Sequence, residues 1–426
     1  MEDQKLIDTI HEFTYEKLDG NIANCLNAII EKLKNGQMSA MIGAGFSKNA
    51  NSAYPDWSQL MVDAYKELYP EKYESHEAKI REEIIKKEGE TDKDKEQQEK
   101  IIQEKLRPVI SGIIRDPSNL AQEYIDMKGR REDLDIYIEN ALVVIEDNET
   151  NNLTLHEKLL SLNWNDIITT NWDTLLEQAN RNSSYAVVTS AKKLRIRNCR
   201  RIIKINGSLR TNEEKNKRKY SFDDCFDYLY VITEDDFNTY HSKHPDFSNF
   251  MKVKMLQDSF CLIGFSGSDP NFKYWVKELK RTMTKGGNTE EPNPIFFIDT
   301  STEEPEPATL QYYKNNYIVR MGLDESVNYI KGNPNKIKIT IVDENYSTSS
   351  TEEIGRGISE KLLLLFKYIS RNTDRNETAL IIAPSKYNDI LKAIAYKDIN
   401  TSSDANATSI NTLPIFYFNN LYYSDY

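Results

Sequence analysis

The sequence predicts an α/β fold built on a doubly wound parallel sheet. Three observations carry this. Five short, largely apolar segments recur along the chain, each followed by Gly, Asn or Asp. Stretches with helical spacing lie between most of them. The chain's polar clusters sit just past the ends of those segments. Short buried strands alternating with helices are the pattern of a parallel sheet covered on both faces, because each crossover returns through a helix. In such sheets ligands bind outside the carboxyl ends of the strands. Polar clusters that converge there are stronger evidence for a site than any one of them alone.

Residues 1–36 read as a mostly helical segment. Leu18, Ile22, Leu26, Ile29, Ile30 and Leu33 recur at helical spacing, Asp19-Gly20 marks a break, and Gly36 stands where a C-cap glycine belongs. Residues 37–333 hold the sheet. Met38–Ile42 is the first strand and ends in Gly43-Ala44-Gly45. A large helical insertion occupies about 58–163. Its part from 71 to 105 is dense in Glu and Lys, with Ile80, Ile84, Ile85, Ile101 and Ile102 as apolar teeth. That pattern predicts a solvated helical face, with a partner-binding face as the alternative. Further strands are expected at 167–170 before Asn171, at 201–205 before Asn206-Gly207, at Ser259–Ile263 before Gly264, and at 294–298 before Asp299. Residues 334–426 read as a small C-terminal α/β appendage, with strands at 336–342 and 379–383, a helix at 352–371 and a loop at 400–409. The aromatic, uncapped end from Phe416 to Tyr426 reads as that of a fragment of a longer protein.

Composition excludes several classes. The 426 residues exceed what one compact core needs. Apolar residues at 39% and charged residues at 29% are too mixed for a disordered chain. Lys plus Arg total 55 against 67 Asp plus Glu, a net charge of −12, so direct nucleic-acid binding over a broad surface is not expected. No apolar run reaches membrane-span length, and the N-terminus carries no secretory pattern. Cys25, Cys199, Cys225 and Cys261 are far apart with no C-x-x-C pair, which argues against a disulfide framework and a zinc ribbon and for the cytoplasm. His241 and His244 form H-x-x-H, but two ligands alone make a poor metal site; they are expected as surface histidines.

Each strand-end cluster has a functional and a plain structural reading. Gly43-Ala44-Gly45-Phe46-Ser47 has the outline of a phosphate turn, with Lys48 where a third glycine would stand; the alternative is a tight turn that needs small residues. Pro55-Asp56-Trp57 reads as a Pro-led turn, a capping Asp and a core Trp. Thr174 and Glu177, after Thr169-Thr170-Asn171-Trp172-Asp173, have capping-box spacing, yet Asn171 lies upstream of that cap and can hold a ribose hydroxyl or a water. Gly264-Phe265-Ser266-Gly267-Ser268-Asp269-Pro270-Asn271-Phe272 is a small-residue turn suited to close approach of a ribose or phosphate, and Asp269-Pro270 also starts a helix. Asn206-Gly207 is a turn dipeptide.

In this order, GAGFS, PDW, TTNWD, a strand ending in a glycine turn and GFSGSDPNF resemble the sirtuin fold, a Rossmann-like sheet. They resemble most closely the sirtuin-like domains of bacterial antiphage defence proteins, over roughly residues 20–330. The resemblance implies NAD as substrate and no metal. By position, Gly43, Ala44, Gly45 and Ser47 would bind the phosphates, Asp56 and Trp57 would lie by the nicotinamide, and Asn171 and Asp173 would face its ribose. Gly264 and Ser266 would contact the adenosine half and Asp299 its ribose; Phe46, Thr170, Gly207 and Asp269 complete the expected binding set. Deacetylating relatives carry a zinc module with paired cysteines, which this chain lacks. The defence relatives are similar to NAD hydrolases that deplete NAD in abortive infection. The resemblance also implies a homo-oligomer or a defence partner: an ATPase, an Argonaute-like protein or a phage trigger protein.

One position departs from that pattern. The family places a His before the glycine as base, and here Asn206 stands in Lys204-Ile205-Asn206-Gly207-Ser208. An amide cannot hold a proton at neutral pH. The five histidines, His11, His76, His156, His241 and His244, lie elsewhere in the sequence. The expected catalytic set is therefore Asn171, Asp173 and the base position held by Asn206. Three explanations stand side by side: a natural variant using another base such as Asp56 or Asp173, a binding domain without turnover, or an engineered inactive form.

Overall fold

The computed structural model describes residues 13–88, 95–146, 151–209, 230–267, 269–283, 291–332 and 357–373. Seven strands form one all-parallel sheet: β1 Met38–Ile42, β2 Asp166–Thr169, β3 Tyr185–Val188, β4 Arg200–Lys204, β5 Ser259–Ile263, β6 Ile295–Asp299 and β7 Ile318–Gly322. Their spatial order is β3-β4-β2-β1-β5-β6-β7. β1 therefore sits at the centre, where the winding direction reverses: β2 pairs on one side, with Ala40 opposite Ile167, and β5 on the other, with Ala40 opposite Cys261. All five residues of β1 are buried, as a strand covered by helices on both faces requires.

The five strands expected from sequence are present, shifted by a residue at most. Two more were not anticipated, β3 and β7, which form the two sheet edges. The helix Ile22–Lys34 begins with the Asn21 side chain accepting from the Asn24 amide at 3.0 Å. It ends at Gly36, φ +64°, where the Gln37 amide returns to the Lys32 carbonyl at 2.8 Å and the Gly36 amide to Leu33 at 3.3 Å. That is the Schellman arrangement glycine permits. The expected break at Asp19-Gly20 separates this helix from the short turn Tyr15–Leu18.

The insertion folds on an apolar cluster that it shares with Leu175, Leu209, Tyr230 and Ile232 of the sheet domain. Tyr65, Leu106, Ile110, Leu134 and Ile138 meet there, from helices Val62–Leu68, Lys95–Ile113 and Arg131–Glu146. The next helix, Thr154–Leu160, belongs instead to the sheet's core, through Leu155 and Leu159. The helix Ile358–Thr373 likewise buries Leu362, Leu365, Phe366 and Ile369 in the sheet's core, so the boundary expected at 333 does not set it apart. The strands expected at 336–342 and 379–383 and the loop at 400–409 lie outside the described residues.

At the amino ends of the strands, away from the polar clusters, lies a buried ionic network. Asp166 accepts from Arg201 Nε at 2.7 Å and Nη2 at 2.8 Å and pairs with Lys254 Nζ at 2.7 Å. Lys254 also pairs with Asp258 at 2.9 Å. Asp258 in turn accepts from Ser39 Oγ at 2.6 Å and from Asn165 Nδ2 at 3.1 Å. Asp166, Lys254 and Asp258 are all buried. No helix among the described residues is long and apolar enough to cross a membrane.

Candidate functional site

The turns after β1 and β5 interlock. The Gly43 amide donates to Ile263 O at 3.2 Å and the Gly45 amide to Gly264 O at 3.0 Å, while the Phe46 amide returns to Gly43 O at 2.9 Å. A methyl group on Gly43 would lie 2.6 Å from Gly264 O, and one on Gly264 would lie 2.2 Å from the Phe46 nitrogen. Gly264 also holds φ +59°. These glycines are required by backbone packed on backbone. Three amides of the turn, those of Gly43, Gly45 and Phe46, are engaged by carbonyls of the fold itself, so at its exposed surface, Ala44 and Gly45, the turn offers a ligand the Ala44 amide and not that of Gly45. Gly264→Ala is expected to cost at least ~2 kcal/mol, from overpacking and a left-handed Ala together. Urea denaturation reads this; an unchanged midpoint would refute the interlock.

Behind the turn, the end of β2 is organised by a chain of polar side chains. Thr169 Oγ1 donates to Ile42 O at 3.0 Å and accepts the Asn171 amide at 3.0 Å. Asn171 Nδ2 donates to Ser47 Oγ at 2.9 Å, and Ser47 Oγ donates to Asp173 Oδ2 at 2.7 Å. Asp173 Oδ1 accepts the Leu175 amide at 3.2 Å. Ser47, Asn171 and Asp173, read separately from the sequence, thus form one buried network across β1 and β2. Thr170 follows β2, its amide donating to Ile42 O at 3.3 Å.

The capping box expected from Thr174 and Glu177 does not form; Thr174 makes no side-chain cap bond. Asp173 receives the first-turn amide instead, and Glu177 pairs with Lys204 Nζ at 2.8 Å. Lys204, fully buried at the end of β4, also donates to Trp172 O at 3.1 Å and to Asp173 O. It clamps the loop that carries Asn171 and Asp173. A lysine directly after Ile202-Ile203, at the buried end of the strand, is the sequence signal for this clamp.

Asn206, at the end of β4, is buried. Its carbonyl accepts from Val231 N and from Trp172 Nε1, each at 2.9 Å. Its Nδ2 donates to Asp269 Oδ2 at 3.3 Å, and its Oδ1 is buried without a partner. Gly207 follows with φ +101° and bridges Tyr230. Asp269 caps the helix Pro270–Met283 by accepting the Phe272 amide at 2.9 Å. Burial pushes its carboxyl above the usual carboxylate range, opposed by the bonds from Phe272 and Asn206. Ser266 is exposed beside Gly267, φ +70°.

Two expected site residues are tied up elsewhere. Asp56 caps the helix Trp57–Leu60 in a reciprocal box with Gln59 and pairs with Lys48 at 2.9 Å, which is its plain structural reading. Trp57 packs on Phe237 with centroids 5.4 Å apart, and its buried Nε1 has no partner. Asp299 accepts from Arg320 Nε of β7 at 2.6 Å and from the Ser301 amide at 2.9 Å.

His156 was not anticipated at the site. It is buried on the helix Thr154–Leu160, its ring 4.6 Å from that of Phe46, and its Nδ1 has no partner. Burial pushes its pKa down to about 4, opposed by the Asp173 charge. An ordinary histidine in the unfolded chain titrates near 6.5. Between those values the unfolded chain binds the extra proton, so stability falls as pH drops from about 6.5 towards 4, by roughly 3 kcal/mol in full. His156→Leu should flatten that slope in denaturation midpoints taken at neutral pH and at mildly acid pH; an equal slope in both forms would remove His156 as its source. His241 and His244 are corrected too. His244 is buried beside Tyr240, and His241 stacks on Tyr274 at 3.7 Å with Nδ1 2.8 Å from Ser248 Oγ. Among the described residues no group of three His, Cys, Asp or Glu could hold a metal ion.

Comparison with known proteins agrees with this layout. Residues 165–318 match the family model described as SIR2-like domain. Over 304 residues the chain is 26% identical to Defense-associated sirtuin 2 of Bacillus subtilis, a match that covers 70% of this chain and 24% of that protein. The chain thus spans about a quarter of the length of the curated relative it matches.

Proposed function

We propose that this chain, which carries a SIR2-like domain similar to part of a defence-associated sirtuin, binds NAD and belongs to an NAD-hydrolysing antiphage system of the abortive-infection kind. The observation that carries the reading is the convergence at the switch point of the sheet. There Ser47, Asn171 and Asp173 share one network, and Asn206 Oδ1 is a buried acceptor without a partner. Buried polar atoms are ordinarily satisfied, and a ribose hydroxyl is a donor of the right kind for this one.

The reaction breaks the bond between ribose C1′ and the nicotinamide nitrogen. Water adds to C1′, a proton is released, and nicotinamide and ADP-ribose leave. Charge develops on the ribose as that bond opens. Asn171, fixed by Ser47, orients the water or the ribose; Asp173 holds Ser47 and faces the developing charge. Ala44 and Gly45 lie open for the phosphates, with Gly43, Phe46 and Ser47 shaping the turn. Trp57 and Thr170 border the nicotinamide side. Gly264, Ser266 and Asp299 serve the adenosine half, Gly207 and Asp269 flank position 206, and Asp56 fixes the helix that bears Trp57. Position 206 is where a base would act on a ribose hydroxyl. No metal is needed by this scheme. Assembly with copies of itself or with a defence partner in the cytoplasm belongs to the same proposal.

A second reading has its own observation. Asn206 cannot take a proton, so the chain would bind NAD or ADP-ribose without turning it over, as a sensor or assembly module. The test combines calorimetry with chromatography of NAD, nicotinamide and ADP-ribose. Products from the chain or from Asn206→His support the hydrolase. Binding without products from either form favours the sensor. Neither binding nor products from either form removes both.

A further inference from the structure

We infer that Arg131 is a positioning residue: through Tyr230 and Val231 it ties the helical insertion to the loop that carries Asn206. Arg131 opens the insertion helix Arg131–Glu146, and its side chain is only 11% exposed. Among the described residues its guanidinium faces Asp135, Asp236 and Tyr230. Nε donates to Asp135 Oδ1 at 3.1 Å, Nη1 to both Asp236 oxygens at 2.9 and 2.8 Å, and Nη2 to Tyr230 O.

Asp236 is itself a hub. It closes a capping box with Thr233 at the start of the helix Glu234–Lys243 and accepts the amides of Ile232 and Thr233, each at 3.0 Å. The segment between Tyr230 and Thr233 is thereby held at both ends by the fork. The same helix of the insertion reaches Tyr230 a second time, since Tyr230 Oη donates to Glu139 at 3.4 Å.

That segment lies directly on the site loop. Tyr230 bridges Gly207, and Val231 N donates to Asn206 O at 2.9 Å. The Tyr230 ring packs on Trp172 at 5.2 Å, and Trp172 Nε1 donates to Asn206 O at 2.9 Å. The Leu209 amide donates to Trp172 O at 2.8 Å. An unbroken path therefore runs from Arg131 to the backbone of position 206. A planar fork can serve two carboxylates and a carbonyl at once, whereas a lysine presents a single point of charge.

The role at position 206 rests on the proposed function, but its test does not. Amide exchange in the full chain is compared for Arg131→Met, Arg131→Lys and Arg130→Met; Arg130 makes an exposed pair with Asp133 at 2.7 Å. In Arg131→Met, exchange at Val231 and Leu209 is expected to rise about tenfold or more while β1 and β5 stay protected. Arg131→Lys should show a smaller local rise, and Arg130→Met none. No rise at Val231 and Leu209, or a rise shared equally by β1 and β5, overturns the inference. NAD affinity by calorimetry is read in parallel and should weaken in Arg131→Met. If the parent chain binds no NAD, the proposed function fails while the exchange result still decides the positioning role.

Discussion

Asn206→His is expected to raise NAD hydrolysis by ~10²–10⁴-fold, the usual contribution of a placed general base. The main-chain bonds that fix position 206 come from Val231 and Trp172 to its carbonyl, so they do not depend on the side chain. The incoming imidazole would stand beside Asp269, whose Oδ2 is 3.3 Å from the present Nδ2. A carboxylate there favours the protonated ring and opposes the effect of burial. The other candidate bases are already engaged. Asp56 pairs with Lys48 and caps a helix, and Asp173 accepts from Ser47 and the Leu175 amide. Initial rates of nicotinamide release decide the matter. Equal rates with Asn and His would show that position 206 takes no part in proton transfer.

Lys254→Met is expected to cost about 3–5 kcal/mol of stability, because it leaves a buried charge uncompensated. Asp166 would keep its two bonds from Arg201. Asp258 would not fare as well: it loses its 2.9 Å ion pair and keeps the neutral donors Ser39 and Asn165 and the charge of Lys32. An exposed pair such as Lys86–Glu82, at 3.8 Å, is worth about 1 kcal/mol or less by contrast. Chemical denaturation reads the difference. Adding Asp258→Leu to Lys254→Met should recover part of the loss, since a buried pair replaced by apolar groups is often tolerated. A loss below about 1 kcal/mol in the single variant would mean that the network is not sealed from water.

Much of this architecture was legible from residues alone. The five inner strands announced themselves by short, mostly apolar segments that end in Gly, Asn or Asp clusters. The two edge strands did not. Tyr185–Val188 is four residues long with a half-buried middle, and Ile318–Gly322 carries Arg320 at its centre, there to reach Asp299. Edge strands bury less, so their patterns are weaker. In the site, residue types and positions were readable, but partnerships were not. Nothing local says that Ser47 bonds to both Asn171 and Asp173, or that Lys204 holds the loop between them. His156 looks like any polar residue on an amphipathic helix until the fold lays it on Phe46. His156 is distant from Phe46 along the chain and adjacent to it in space.

The interlocked glycines bear on how related genes should be compared. Gly43, Gly45 and Gly264 admit no side chain because main chain meets main chain there. Selection for folding alone would preserve them, whatever happens to the chemistry. A descendant that had lost every trace of catalysis would still spell this turn. Drift at position 206, where the surroundings tolerate an amide, would be the earlier record of a change in vocation.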